Sequence, residues 1–80
     1  MSKDFKEGLA PVKTEDEKWG FIDAKGRLVI KPQFEDAESF YNGLAKVEIR
    51  KEDWIYEGYI NHKAEYVVKP IKKKQLEEEF

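Results

Sequence analysis

Eighty residues suffice for one small domain, and 40% apolar with 40% charged residues mark a globular chain with few apolar side chains to spare for its core. The absence of cysteine excludes disulfides, thiol chemistry and zinc–thiolate sites, which removes one usual support of a core this small. A net charge of -2 with both signs interspersed gives no basic footprint for nucleic acid, and the short run Lys72, Lys73, Lys74 is offset by Glu77, Glu78 and Glu79.

The first element in chain order is FKEGLAPVKT, where period-two alternation after Gly8 places Ala10 and Val12 on one face and Leu9, Pro11 and Lys13 on the other. The segment MSKDFKEGLAPV carries charge where an export signal needs an apolar run, and no apolar stretch reaches the length of a membrane span, so a cytoplasmic protein with no membrane partner is expected. The polar turn EDEK leads into the aromatic strand KWGFID. The turn DAKGR follows, with Gly26 where a short hairpin loop calls for a left-handed backbone, and then the aliphatic strand RLVIKP. These pieces read as a three-stranded antiparallel meander within a repeat unit spanning 5–39. Gly20, like Gly58 in the later copy, weakens pairing inside its aromatic strand unless a neighbour needs the space, and a bulky side chain packing over it is expected ahead of a ligand approaching the bare backbone.

In PQFEDAESFYNG, Phe34, Ala37 and Phe40 or Tyr41 recur at three- and four-residue steps, which predicts a short helix within 34–41. The chain then repeats itself. FYNGLAKV matches FKEGLAPV at five of eight positions with an offset of 35, and YEGYINHKAEYVVKP echoes KWGFIDAKGRLVIKP with an offset of 38. The change of offset places a three-residue insertion between Val47 and Gly58, where it lengthens a hairpin. The second unit, 40–70, is thus a second meander. Ala64 stands at the place of Gly26, so its turn either differs, with Asn61 taking the left-handed position, or carries strain on the order of 1 kcal/mol. In the tail, 71–80, Leu76 and Phe80 share a helical spacing, but lysines leading and glutamates trailing oppose the helix dipole, so only a weak helix is expected.

The pattern F-x-x-G-L-A-x-V … W-G-F-I-D-x-x-G-x-x-V-I-x-P-x-F-x-x-A resembles the WG-repeat (KWG) family of bacterial β-repeat proteins. The resemblance runs from Phe5 to about Pro70 and includes Lys18, Trp19, Gly20, Asp23, Gly26, Pro32, Phe34 and Ala37. The second unit departs from it, with Glu57 in place of the tryptophan, Asn61 in place of Asp and Ala64 in place of Gly. What the resemblance implies is a repeat architecture; it carries no catalytic or binding residues onto this chain.

The expected fold is all-β, one domain over 1–80. Its strands lie near 8–14, 18–23, 27–32, 43–50, 54–61 and 65–69, and the two meanders form either a small barrel-like domain or a stacked repeat. The expected central layer is Ala10, Val12, Ile22, Ile30, Ala45, Val47, Ile49, Ile60 and Val68. Two units bury their faces poorly on their own, so either barrel closure or weak self-association through an exposed strand is expected.

No cofactor, metal or catalytic residue is indicated. His62 sits in a turn with no nucleophile placed by sequence, and the acidic groups EDE and FEDAE lack the ligand spacing of a calcium loop. The candidate interaction surface is Trp19, Trp54, Tyr56 and Tyr41: core packing is favoured for Trp19, whereas Trp54, beside the inserted turn, suits core or surface equally. The expected function is a non-catalytic protein-interaction module, and the alternative is carbohydrate or cell-envelope binding through exposed Trp and Tyr.

Overall fold

The computed structural model describes residues 4–76. Their secondary structure consists of strands, with no helix among them: β1 (Leu9–Lys13), β2 (Trp19–Asp23), β3 (Leu28–Phe34), β4 (Asp36–Ala37), β5 (Ala45–Lys51), β6 (Trp54–Ile60) and β7 (Tyr66–Gln75). They form two antiparallel sheets, β1-β2-β3 and β4-β5-β6-β7, and no closed barrel. The repeat is visible in the pairing. Ala10 lies opposite Ile22 and Val12 opposite Gly20 in the first sheet, as Ala45 lies opposite Ile60 and Val47 opposite Gly58 in the second.

The helix expected over 34–41 is absent, and its three-residue spacing has another cause. Phe34 ends β3 paired with Trp19 in the first sheet, the chain bends at Glu35, and Ala37 pairs with Val47 in the second sheet. One residue of bend between two strands restores the inward direction after three residues, so Phe34 and Ala37 are both buried. Backbone bonds from Glu35 N to Glu48 O (2.7 Å) and from Glu38 N to Lys46 O (2.9 Å) fix the crossing, and Lys18 Nζ reaches Glu35 Oε2 at 3.1 Å beside it. The weak helix expected in the tail is also absent over 71–75, which extend β7 against β6; the positions of Glu77 to Phe80 lie outside the described residues.

Each aromatic strand meets a bulge in the following strand at its glycine. Trp19 pairs with Phe34 and Phe21 with Ile30, so Lys31, Pro32 and Gln33 all face Gly20; likewise Lys69 and Pro70 face Gly58. A Cβ on Gly20 would lie 2.5 Å from the Ile30 carbonyl oxygen and 2.9 Å from Pro32 N, and one on Gly58 would lie 2.8 Å from Val68 O. The neighbour that excludes a side chain is therefore chiefly bulged backbone, not the bulky side chain expected. Proline suits the bulge because the residue there need not donate to the ladder.

The two β-turns after the aromatic strands are the same turn. Asp23 Oδ1 accepts from the amides of Lys25 and Arg27, both at 2.9 Å, and Asn61 Oδ1 accepts from those of Lys63 and Glu65 at 2.9 and 3.0 Å. Gly26 has φ of 82° and Ala64 has φ of 64°, so Ala64 itself, not Asn61, carries the left-handed backbone.

One core joins both sheets, and the register shows which faces meet. Leu9, Pro11, Trp19 and Phe21 share one face of the first sheet, continued by Ile30 and Phe34, and all are buried. Ala45, Val47 and Ile60 share one face of the second sheet and belong to the same cluster, with Phe40 between the layers, its ring centroid 5.0 Å from that of Phe21. These two faces are not equivalent under the repeat. Unit two therefore stacks on unit one head to tail, as a repeat translation does, rather than about a twofold axis.

This arrangement corrects the expected core in part. Ile30, Ala45, Val47 and Ile60 are central and Ile49 packs against them, and Ala10 is buried as expected, but it lies with half-buried Val12 and Ile22 on the outer face of the first sheet. Val68 is 39% exposed although its repeat partner Ile30 is 3% exposed, because among the described residues no sheet is stacked on the second unit's equivalent face. Leu9 and Pro11, which alternation assigned to the other face, and Phe21, which the expected central layer left out, fill the interior instead.

Candidate interaction surface

The four aromatic candidates do not converge. Trp19 is 6% exposed and sits between the sheets. Tyr41 is 77% exposed at the head of the Asn42-Gly43 turn. Trp54 and Tyr56 are brought together: they lie two residues apart on one face of β6, both half-buried, on the part of the hairpin that the insertion lengthens. One side of the Trp54 ring is occupied by the Lys72 ammonium, 4.5 Å from the ring centroid, a cation–π contact that β7 supplies by running on beside β6.

The outer face of the second sheet carries charges at two positions that are apolar in the first, beside Tyr59, Val68 and Ile71. Glu57 pairs with Glu48 across β5 and β6 as Trp19 pairs with Lys13, and Lys46 takes the place of Pro11. Lys73 Nζ lies 2.7 Å from Glu48 Oε2 and 3.0 Å from Glu57 Oε1, and Lys46 Nζ lies 3.7 Å from Glu57 Oε1 and 3.6 Å from Glu38 Oε2. Hydrogen bonds to Glu48 and then Glu57 hold the Lys73 ammonium above the usual lysine range, and Lys73 in turn holds the Glu57 carboxyl below its own. The lysine run is thus partly spent within the sheet, Lys73 on carboxylates and Lys72 on an indole.

A second contact was not legible in the sequence. Glu7 and Gly8 form a two-residue loop between Lys6 and Leu9, with φ of 55° and 81°, and Asn42 and Gly43 form its copy between Tyr41 and Leu44. The Glu7 carboxylate accepts from the Gly43 amide at 3.0 Å and from His62 Nε2 at 2.9 Å, while the His62 ring stands edge-on to Phe40 with centroids 4.4 Å apart. The Gly43 amide, then the His62 hydrogen bond, hold the Glu7 carboxyl below the usual range. His62 is therefore a joint between units as well as an exposed turn residue. Its partners lie too far away in sequence for spacing to reveal them.

β7 forms the edge of its sheet, and Tyr66, Val67, Val68 and Ile71 along it are exposed. The described residues enclose no ligand-sized cleft, and among them no group of three or more His, Asp or Glu side chains is placed to hold a metal ion. The model of the family described as WG containing repeat matches residues 3–19 and 19–51, more than half of the chain, and the match ends ahead of Glu57, Asn61 and Ala64. No curated protein and no solved structure matches the chain.

Proposed function

The chain belongs to the WG containing repeat family, and from that premise we propose that it is a non-catalytic protein-interaction module that engages a partner protein along β7. The observation that carries this reading is the free edge of β7 at Tyr66, Val67 and Val68, an apolar stretch whose outer backbone groups have no strand beside them among the described residues. Such an edge accepts an extended peptide through main-chain hydrogen bonds, with side-chain pockets at alternate positions supplying selectivity. Beyond it, Pro70 and the lysines at 72–74 guard the rest of the strand against indiscriminate pairing.

The carbohydrate reading rests on Trp54 and Tyr56 sharing one face of β6. It is the weaker of the two, because the Lys72 ammonium occupies one side of the indole and sugar recognition favours an open ring in a groove. A photo-crosslinking residue at Val67 is expected to give a discrete protein adduct in lysate, and the same residue at exposed Asp16 is expected to give none. Equal labelling at both positions would overturn the β7 reading, as would retention on immobilised glycans abolished by Trp54→Ala.

A further inference from the structure

The repeat permits a comparison that a single unit does not. Phe5 and Phe40 are the same motif residue, yet Phe40 is 2% exposed and Phe5 is 49% exposed. The difference is what lies against them. Phe40, Ala45, Val47 and Ile60 form the face on which the first unit's Trp19, Phe21 and Ile30 are stacked. Their counterparts Phe5, Ala10, Val12 and Ile22 form the same face of the first unit, and the described residues stack no sheet on it. Phe5 and Leu28 are exposed there, Val12 and Ile22 are half-buried, and of the four counterparts Ala10, the smallest side chain, is buried.

We infer that this outer face of unit one is a docking surface for a further repeat unit of the same kind, one that presents a tryptophan at the Trp19 position, and that the opposite end of the molecule is closed to such a unit. The interface between the two units of this chain supplies the occupant's chemistry. The face that unit two offers is apolar and built on Phe, Ala, Val and Ile, and what it receives is a Leu, Pro, Trp and Phe face. Unit one offers the same four residue types at the same register positions, so the same occupant fits. A second copy of this chain does not meet that description, because its own Leu, Pro, Trp and Phe face is covered by unit two, and the equivalent face of unit two carries Lys46 and Glu57 in place of proline and tryptophan.

Three features close the other end. Glu57 and Lys46 are held in ion pairs with Lys73 and Glu38 across the face where a third unit would stack, so stacking would strip those charges of water. The chain after Pro70 stays paired with β6 through Gln75, whereas the chain after Pro32 departs at Glu35 to begin the next sheet. The insertion lengthens β6 and gives Lys72, Lys74 and Gln75 their partners. A polar terminal unit of this sort is what ends a stacked array.

This inference adds a second surface to the β7 edge and rests on the reading of the chain as an interaction module, but its test does not touch β7. In a tandem chain, a second copy of residues 5–39 precedes Phe5 of the full chain, which recreates the natural Ser39-to-Phe40 junction. The Tm is expected to rise by about 5 °C or more within a single transition, and Ile22→Lys in the downstream copy is expected to abolish the rise. Appending a copy of residues 40–70 at the other end is expected to give no rise. An unchanged Tm or a separate transition for the added upstream copy would overturn the docking surface, and an equal rise from the downstream extension would overturn the closed end. As a measurement in trans, the full chain carrying Lys46→Leu and Glu57→Trp is titrated into the labelled natural chain. Amide shifts confined to Phe5, Ala10, Val12 and Ile22 are expected, and shifts that leave those residues unmoved would count against the inference. Failure here leaves crosslinking from Val67 unaffected, so the two readings fall separately.

Discussion

His62 Nε2 lies 2.9 Å from Glu7 Oε1, joining the last turn of the second unit to the first turn of the first across 55 positions of sequence. The same carboxylate oxygen takes the Gly43 amide at 3.0 Å, so one side chain ties together three turns.

Glu7 makes acid stability the readout of this joint. Its carboxyl titrates below the ordinary value of 4.5 in the folded chain, so its contribution is complete above that value and is lost as pH falls through the lower folded value. Thermal unfolding between pH 7 and pH 3 is expected to show the natural chain more stable than Glu7→Gln at neutral pH. The gap should narrow below about pH 4.5. A gap that does not change with pH would remove the carboxylate from the explanation.

The shared turn geometry sets up a reciprocal pair of substitutions. Ala64 carries a φ of 64°, and Gly26 carries 82° with no atom within 4 Å of where a Cβ would stand. Ala64→Gly is expected to stabilise the chain by about 0.5–1 kcal/mol, and Gly26→Ala to destabilise it by about 1 kcal/mol, in urea unfolding. Because Ala64 also packs against the core, the gain falls at the smaller end if that methyl group contributes.

The bulge contacts rank the strand glycines. Gly20→Ala would force a methyl group against the Ile30 carbonyl at 2.5 Å, whereas Gly58→Ala meets its nearest atom at 2.8 Å. Both are expected to destabilise, by about 2–3 kcal/mol for Gly20→Ala and less for Gly58→Ala, since backbone must move to make room. Equal Tm values for the two variants would contradict the ranking.

The two tryptophans differ in access to solvent. With Trp54→Phe, the remaining Trp19 is expected to resist quenching by iodide, and with Trp19→Phe, the remaining Trp54 is expected to be quenched, helped by Lys72 beside its ring. Trp19→Ala is expected to cost about 3–5 kcal/mol, which is comparable with the whole stability of a chain this size, about 4–12 kcal/mol. Near-native stability of that variant would show that the interior closes over the loss.

Alternation and turn residues made the strands legible, because period two and glycine-marked loops are local properties of the chain. The starts and ends of β1, β2, β5 and β6 fall within two residues of where the sequence places them. What alternation cannot say is which face of a strand is covered. Ala10, Val12 and Ile22 look as much like a core as Leu9, Pro11 and Phe21 do, and the choice was made by where the second unit stacks. The bend at Glu35 imitated a helical period for a similar reason, since strand direction and sheet change at once there. In the candidate surface, Trp19 and Glu57 were visible as the odd pair of the repeat, but only the stacking shows that one faces a neighbour and the other faces water. The joint of Glu7 and His62 left no mark, because its partners lie 55 positions apart in the chain.

The short crossing between sheets also governs how the molecule comes apart. Phe34 hydrogen-bonds into one sheet and Ala37 into the other, so three consecutive peptide steps carry the register of both. Melting either sheet pulls on a crossing that the other sheet shares, so loosening is expected to spread from one to the other. The nearest-neighbour coupling of a repeat array is here carried by the backbone itself, and the two units are expected to unfold in a single transition.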